Sequence, residues 1–264
     1  NAFNAYQPKF VEVPTDNGGL IPEELDKILE TTPNCKFIYV IPDFQNPTGR
    51  TWSMERRQKF MEVVNKHNLP VLEDNPYGEL RYEGTILPSL KSMDTKGLVM
   101  FLGTFSKIFC PGLRLGWIAA EHSLLSEFVK IKQSADLHTS NFDQGVADAY
   151  MEQYDLDEHV KEIVALYKHR RDLILESMEK YFPAGTEWTH PEGGLFLWLT
   201  FPEGVSARKV FNKCIEMKVA GVIGDAFYPN QKTDRSMRIN YSNMPDDRIV
   251  EGIQRMAKAI KECM

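Results

Sequence analysis

Leu98-Val99-Met100-Phe101-Leu102-Gly103-Thr104-Phe105-Ser106-Lys107-Ile108-Phe109-Cys110-Pro111-Gly112-Leu113-Arg114-Leu115-Gly116-Trp117 decides how the rest of this chain is read. It opens with five apolar residues and breaks at Gly103-Thr104, which suggests a short strand buried on both faces. A lysine then follows two hydroxyl residues, and an arginine stands seven positions later in a Gly-rich turn. That set suits a covalently held, phosphorylated aldehyde. The Lys107 amine bonds the aldehyde carbon, while Thr104, Ser106 and the planar fork of Arg114 hold phosphate oxygens. A solvated lysine beside a turn would read the same in isolation, so the surrounding sequence has to decide.

Two more apolar runs precede this one. Phe37-Ile38-Tyr39-Val40-Ile41 ends at Pro42, and Asn68-Leu69-Pro70-Val71-Leu72 ends at Glu73-Asp74. Between them, Ser53 to Asn68 has helical spacing, with Glu55 in the first turn and no capping box. Strand–helix–strand repetition implies a largely parallel sheet, whose ligands bind beyond the carboxyl ends of the strands. Each run ends in polar residues. Asn46-Pro47-Thr48-Gly49 offers an amide that can donate to a phenolate oxygen. Asp74-Asn75-Pro76-Tyr77 offers a carboxylate that, if buried, needs a cationic partner such as a protonated pyridine nitrogen. Tyr77 can reach the same phenolate. Alone, each of the first two clusters also reads as an ordinary turn.

Further on, Asp157 to Tyr181 reads as a long helix, Thr186 to His190 and Leu195 to Phe201 as strands, and Ala207 to Met217 as a helix. Met237 to Tyr241 alternates like a half-buried strand, with Arg238 and Asn240 on one face and Met237, Ile239 and Tyr241 on the other. Pro245 opens a terminal helix. The expected fold is α/β: a three-layer, mixed, mostly parallel sheet in residues 1–154, incomplete at its N-terminal side, and a smaller C-terminal α+β domain in 155–264.

With 264 residues, 42% hydrophobic and 26% charged, the composition is that of an ordinary globular protein. A net charge of -6 disfavours nucleic acid as a partner. No apolar run reaches the ~20 residues of a membrane-spanning helix. Cys35, Cys110, Cys214 and Cys263 are scattered, with no metal-type spacing, so no metal is expected and a reducing, cytoplasmic setting is the simplest reading.

Taken together, Asn46-Pro47-Thr48-Gly49, Asp74-x-x-Tyr77, Ser106-Lys107-x-x-x-Pro111-Gly112-x-Arg114-x-Gly116-Trp117 and Arg238-Ile239-Asn240-Tyr241-Ser242 resemble the pyridoxal 5′-phosphate enzymes of the aspartate-aminotransferase fold, class I/II. The resemblance covers essentially the whole chain. It is nearest to the 2-aminoadipate, kynurenine and aromatic aminotransferase branch, which Leu137-His138-Thr139 and Gly193-Gly194-Leu195-Phe196-Leu197-Trp198 also resemble.

The resemblance implies a transferase of amino acid metabolism that moves an amino group from an α-amino acid to a 2-oxo acid. It implies Lys107 as the Schiff-base lysine and Asp74 as the partner of the pyridine nitrogen. Asn46 and Tyr77 would bond the phenolate oxygen, Thr104, Ser106 and Arg114 the phosphate, and Arg238 the substrate α-carboxylate. His138 is expected to be a hydrogen-bonded structural histidine, and Phe196 and Trp198 to be core. A lyase on the same scaffold, or the ligand-sensing domain of a transcription regulator, would share these residues. Acidic, aromatic and broad donor ranges all stay open.

Relative to that family, the chain reads as an N-terminally truncated fragment. A Gly-rich phosphate-binding segment, a ring that stacks on the cofactor and the first two of seven strands would be missing. That leaves an unpaired strand edge around Phe10-Val11-Glu12-Val13 and a fragment with little or no activity alone. A homodimer is implied, with Leu137 to Thr139 facing the partner's site.

Overall fold

The computed structural model describes residues 2–230 and 234–264. A short hairpin, β1 (Thr15–Asp16) and β2 (Gly19–Leu20), leads into α1 (Pro22–Thr31) and β3 (Ile38–Val40). Then come α2 (Met54–His67), β4 (Val71–Asp74), β5 (Val99–Thr104) and β6 (Gly116–Ala119). The sheet order is β3-β4-β5-β6, parallel through β5 and antiparallel at β6. This is the mixed, mostly parallel sheet the sequence implies. The Ser53–Asn68 helix forms as expected: Ser53 Oγ accepts from the Arg56 N–H, and Asn68 closes the helix in the left-handed region at φ 51°.

Register fixes which side chains share a face. Ile38 lies opposite Val71, and Val71 opposite Val99. These residues pack with Trp52, Phe60, Met61 and Val64 under α1 and α2. Tyr39 lies opposite Leu72, so Tyr39, Leu72 and Asp74 share the other face. That face is only partly covered, and Tyr39 is 45% exposed. The expectation of strands buried on both faces therefore holds for one face of β3 and β4. Glu73 and Asp74 are adjacent but have different fates. Glu73 is fully buried and accepts from the Leu90 and Lys91 N–H groups at 2.8 Å each, whereas Asp74 emerges on the open face.

The expected strand at Phe10–Val13 does not form. With no neighbouring strand to pair with, the segment runs irregularly. Asn230 ties it down, donating from Nδ2 to Phe10 O and from its backbone N–H to Glu12 Oε1. The sheet's edge strand on this side is β3, where Phe3 packs on Phe37 and Tyr39.

Beyond β6 come α3 (His122–Ala135), α4 (Asn141–Gln153) and the long α5 (Leu156–Tyr181), followed by β7 (Glu187–Trp188), β8 (Phe196–Thr200), α6 (Ala207–Glu216), β9 (Val222–Ile223), β10 (Ser236–Asn240) and α7 (Asp246–Glu262). The strand expected at Thr186–His190 shrinks to two residues. Strands β7-β8-β10-β9 form a second, antiparallel sheet. It has its own apolar core with α5, α6 and α7, built on Met178, Leu197, Leu199, Met237, Ile253 and Ile260.

A third cluster joins the two halves: Ile41, Phe44, Tyr77 and Leu80 pack on Leu195 and Phe196 and against Leu156 and Val160 of α5. Close approach here requires glycine. A Cβ on Gly193 would lie 2.3 Å from the Phe44 ring and 2.4 Å from Leu80 O. Gly194 has φ +75° and a Cβ site 2.5 Å from Phe44 Cβ. We propose that the domain boundary falls at 154/155, where Asp155 Oδ1 caps α5 by accepting from the Asp157 and Glu158 N–H groups. No described helix is long and apolar enough to cross a membrane.

Candidate active site

The carboxyl ends of β3, β4 and β5 carry the residues singled out in the sequence, and β10 brings in one more. After β3 the chain turns at buried Phe44 and reaches Asn46, whose bond to Pro47 is cis. Asp43, at the same turn, is held by the fully buried Arg57 at 2.6 Å, which anchors the turn to α2. Asn46 Oδ1 accepts from Arg238 Nη1 at 2.7 Å. This leaves the Asn46 amide N–H groups as donors, and they lie in hydrogen-bonding reach of the Tyr77 hydroxyl. Burial pushes that phenol up to about 12, with the Asp74 charge adding to the rise, so Tyr77 is a neutral donor at ordinary pH.

Arg238 sits on the open face of β10 as the alternation predicts, while Met237 and Ile239 enter the core. Its guanidinium lies 4.1 Å from the Phe196 ring centroid and 5.1 Å from that of Phe227. Its Nε is buried and has no hydrogen-bond partner among the described residues. Burial pushes the Arg238 pKa down from its ordinary value, opposed by Tyr77. Phe196 and Trp198 are buried, as expected of core residues. Phe196 does more than fill space, because it carries the guanidinium on one face and meets Tyr77 edge-on at 5.8 Å.

Asp74 ends β4. Its Oδ2 accepts from the Tyr39 hydroxyl at 2.6 Å. Burial pushes its carboxyl above the ordinary aspartate value, and the Tyr39 bond partly offsets this. No Lys, Arg or His among the described residues is hydrogen-bonded to it. Sequence reading missed Tyr39. The available signal was a phenol inside an apolar strand run, where a buried hydroxyl needs a partner.

At the end of β5, Thr104 Oγ1 donates to Leu115 O at 3.0 Å and accepts from the Ser106 N–H at 3.1 Å. Lys107 stands in the next turn, closed by Phe109 N–H to Phe105 O at 2.9 Å. Neither the Ser106 hydroxyl nor the Lys107 amine has a hydrogen-bonding partner among the described residues. Arg114 takes the left-handed conformation at φ 55° and donates to Pro111 O at 2.9 Å. It is exposed and makes no hydrogen bond to Thr104 or Ser106. The structure thus joins Asn46 to Arg238 by a hydrogen bond, sets Tyr77 beside them against Phe196, and brings Asp74 near enough for its charge to raise the Tyr77 pKa. Thr104, Ser106, Lys107 and Arg114 follow on the neighbouring strand end without direct contact. His138 Nδ1 lies 2.8 Å from Thr139 O, a local structural bond. An open cavity of about 470 Å³ lies against Phe105, Leu115 and Trp117 and contains none of the predicted site residues.

A mixed sheet with these groups at its strand ends, joined to a small antiparallel unit that supplies an arginine, places the chain in the class of α/β proteins with the aminotransferase architecture. The family model "Aminotransferase class I and II" matches residues 1–256, and the chain belongs to that family. It is 42% identical, over its whole length and 64% of the relative's, to the aromatic-amino-acid aminotransferase 1 of Thermococcus litoralis. Among solved structures it superposes with TM-score 0.95 on the kynurenine aminotransferase of Pyrococcus horikoshii in complex with PMP. That match is 41% identical and covers 99% of this chain and 66% of the other. The α-aminoadipate aminotransferase LysN of Thermus thermophilus, complexed with N-(5'-phosphopyridoxyl)-L-leucine, gives TM-score 0.94 at 31% identity, covering 99% and 68%. The chain spans about two thirds of the length of these relatives.

Proposed function

We propose that the complete protein transfers the amino group of an α-amino acid to a 2-oxo acid with pyridoxal 5′-phosphate. The observation that carries this reading is the Asp74 carboxylate. It is half-buried at a strand end and, among the described residues, hydrogen-bonded only to a neutral phenol. A partly desolvated carboxylate so placed suits a cationic ring nitrogen. The other groups fit the same cofactor: Asn46 and Tyr77 can donate to the phenolate oxygen, Ser106 and Arg114 offer donors for the phosphate, and Thr104 would offer one on turning its hydroxyl away from Leu115 O. When bound, this cofactor supplies the electron sink for chemistry at the substrate Cα.

The chain's own residues do the rest. The Arg238 fork receives the α-carboxylate, with its plane fixed between Phe196 and Phe227 and by the bond to Asn46. Lys107 Nζ, which has no hydrogen-bonding partner among the described residues, would hold the cofactor through its amine and, when free, would serve as the base that moves the proton at the substrate Cα. Asp74 would keep the ring nitrogen protonated. Amino group and proton are conserved overall, because one amino acid and one 2-oxo acid exchange their nitrogen.

Aromatic donors are placed first, because the arginine expected to hold the carboxylate rests on Phe196 and Phe227, and Trp198 meets Phe227 at 5.7 Å. The test is a panel of aromatic, acidic and aliphatic amino donors with 2-oxoglutarate, read by mass spectrometry on the holoenzyme from its complete reading frame. The expected products are glutamate and the donor's 2-oxo acid with its carbon skeleton intact. A cleaved skeleton would point to a lyase, and no conversion to a ligand-sensing domain.

We also infer a homodimer. Helix α3 has no buried residue, and Phe128, Val129, Ile131, Leu137 and Phe142 are all exposed. An unpacked helix with exposed apolar side chains is suited to covering by a second copy. Light scattering should give twice the chain mass; a monomer at micromolar concentration would contradict it.

A further inference from the structure

Tyr39 is the middle residue of β3, seven positions before Asn46, the nearest residue that the sequence motifs mark. Its register partner is Leu72, so its side chain shares a face with Asp74, two residues further along β4. At that diagonal spacing a long side chain reaches its neighbour. The Tyr39 hydroxyl donates to Asp74 Oδ2 at 2.6 Å, the short distance of a bond to an ionised acceptor. Phe3 packs edge-on against the Tyr39 ring at 6.0 Å.

We propose that Tyr39 is a positioning residue for the cofactor site: it occupies one oxygen of Asp74 and turns the other toward the ring nitrogen. This rests on the reading of the site as a pyridoxal-phosphate site. Three observations support it. The hydroxyl is a dependable donor, because burial and the neighbouring Asp74 charge push its pKa well above the ordinary tyrosine value. Its bond to Asp74 lowers a carboxyl that burial would otherwise hold higher, and so favours the ionised form that a cationic nitrogen requires. No other described side chain is hydrogen-bonded to that carboxylate. The ionisable groups facing Asp74 are Tyr39 from β3 and Tyr77 from the loop after β4, with Arg238 of β10 beyond Tyr77. Tyr77 is a neutral phenol directed to Asn46, so it cannot take over the role of Tyr39.

Removing the hydroxyl leaves the ring and its packing in place. The Asp74 pKa then rises, because the one bond that lowered it is gone. The carboxylate is lost at a higher pH, and cofactor affinity falls with it as the solution is acidified.

The test measures the dissociation constant of pyridoxal phosphate by spectroscopic titration of the apoenzyme, made from the complete reading frame, from neutral toward acid pH. Parent, Tyr39→Phe, Asp74→Asn and the double variant are compared. Tyr39→Phe should weaken binding about tenfold, the equivalent of ~1.4 kcal/mol, and more at the acid end. In the Asp74→Asn background the same substitution should change nothing further, because a structural role for Tyr39 would persist there and a positioning role would not. Equal affinity of Tyr39→Phe and parent would overturn the role of Tyr39 alone, as would an undiminished loss in the Asp74→Asn background. A parent protein that fails to bind the cofactor would overturn both this role and the reading of the site.

Discussion

Lys107→Ala in the holoenzyme is expected to reduce amino transfer by ~10⁴-fold or more while leaving the protein folded. The first part follows from two losses at one atom. A positioned proton-transfer group alone contributes ~10²–10⁴-fold, and the same nitrogen is the covalent attachment point for the cofactor. The second part follows from the surroundings. Lys107 has no hydrogen bond or ion pair among the described residues, and its turn is closed by the backbone of Phe105 and Phe109. A substitution that breaks no native contact should shift stability by no more than about 0.5 kcal/mol. The measurement is therefore paired: turnover with the best donor of the panel, and the thermal unfolding midpoint. A variant that keeps turnover within about tenfold of the parent would remove Lys107 from the chemistry.

The second large effect is expected at Arg238. Truncating one partner of a desolvated, hydrogen-bonded charge pair costs ~2–5 kcal/mol, so Arg238→Ala should lower kcat/KM for α-amino acids by roughly 10²–10³-fold. The loss should appear chiefly as a raised KM, because the carboxylate is bound in ground state and transition state alike. Arg238→Lys should recover only part of it, since a point-charge ammonium cannot reproduce the planar fork, its stacking between Phe196 and Phe227, or the bond to Asn46. Steady-state kinetics with an amino acid and with the matching amine that lacks the carboxylate separate this role from a structural one. The parent should discriminate strongly between the two, and the alanine variant weakly. Unchanged discrimination would mean that Arg238 serves the fold instead.

Much of this site could be read from residue order alone, because each of its polar clusters follows an apolar run and parallel sheets gather such ends on one edge. Asp74 and Lys107 were marked by that logic, and the alternation around Arg238 correctly separated it from Met237 and Ile239. What escaped depends on register and on distant contacts. Whether Tyr39 faces Asp74 or the helices is set by its pairing with Leu72, and one residue of slip would reverse it. Phe227 comes to lie over Arg238 only through the pairing of β9 and β10. Gly193 and Gly194 fall between two expected strands, and nothing in the sequence signals that they admit Phe44 at the seam between the two sheets. The family resemblance implied a strand at Phe10–Val13, but a strand also needs a neighbour, and Asn230 took up backbone and side-chain acceptors there instead. Helices α3 and α4 were not read from the sequence, and α3 has no buried residue among those described.

The central claim is that the Lys107 nitrogen is the atom to which the cofactor is bound. Borohydride reduction of the holoenzyme, followed by proteolysis and peptide mass spectrometry, tests it most directly, because reduction fixes a lysine–aldehyde linkage as a stable amine. The account predicts a phosphopyridoxyl adduct on the peptide that carries Thr104-Phe105-Ser106-Lys107, localised to Lys107 by fragmentation. An adduct on a different lysine, or none on a holoenzyme that has retained its cofactor, would contradict it.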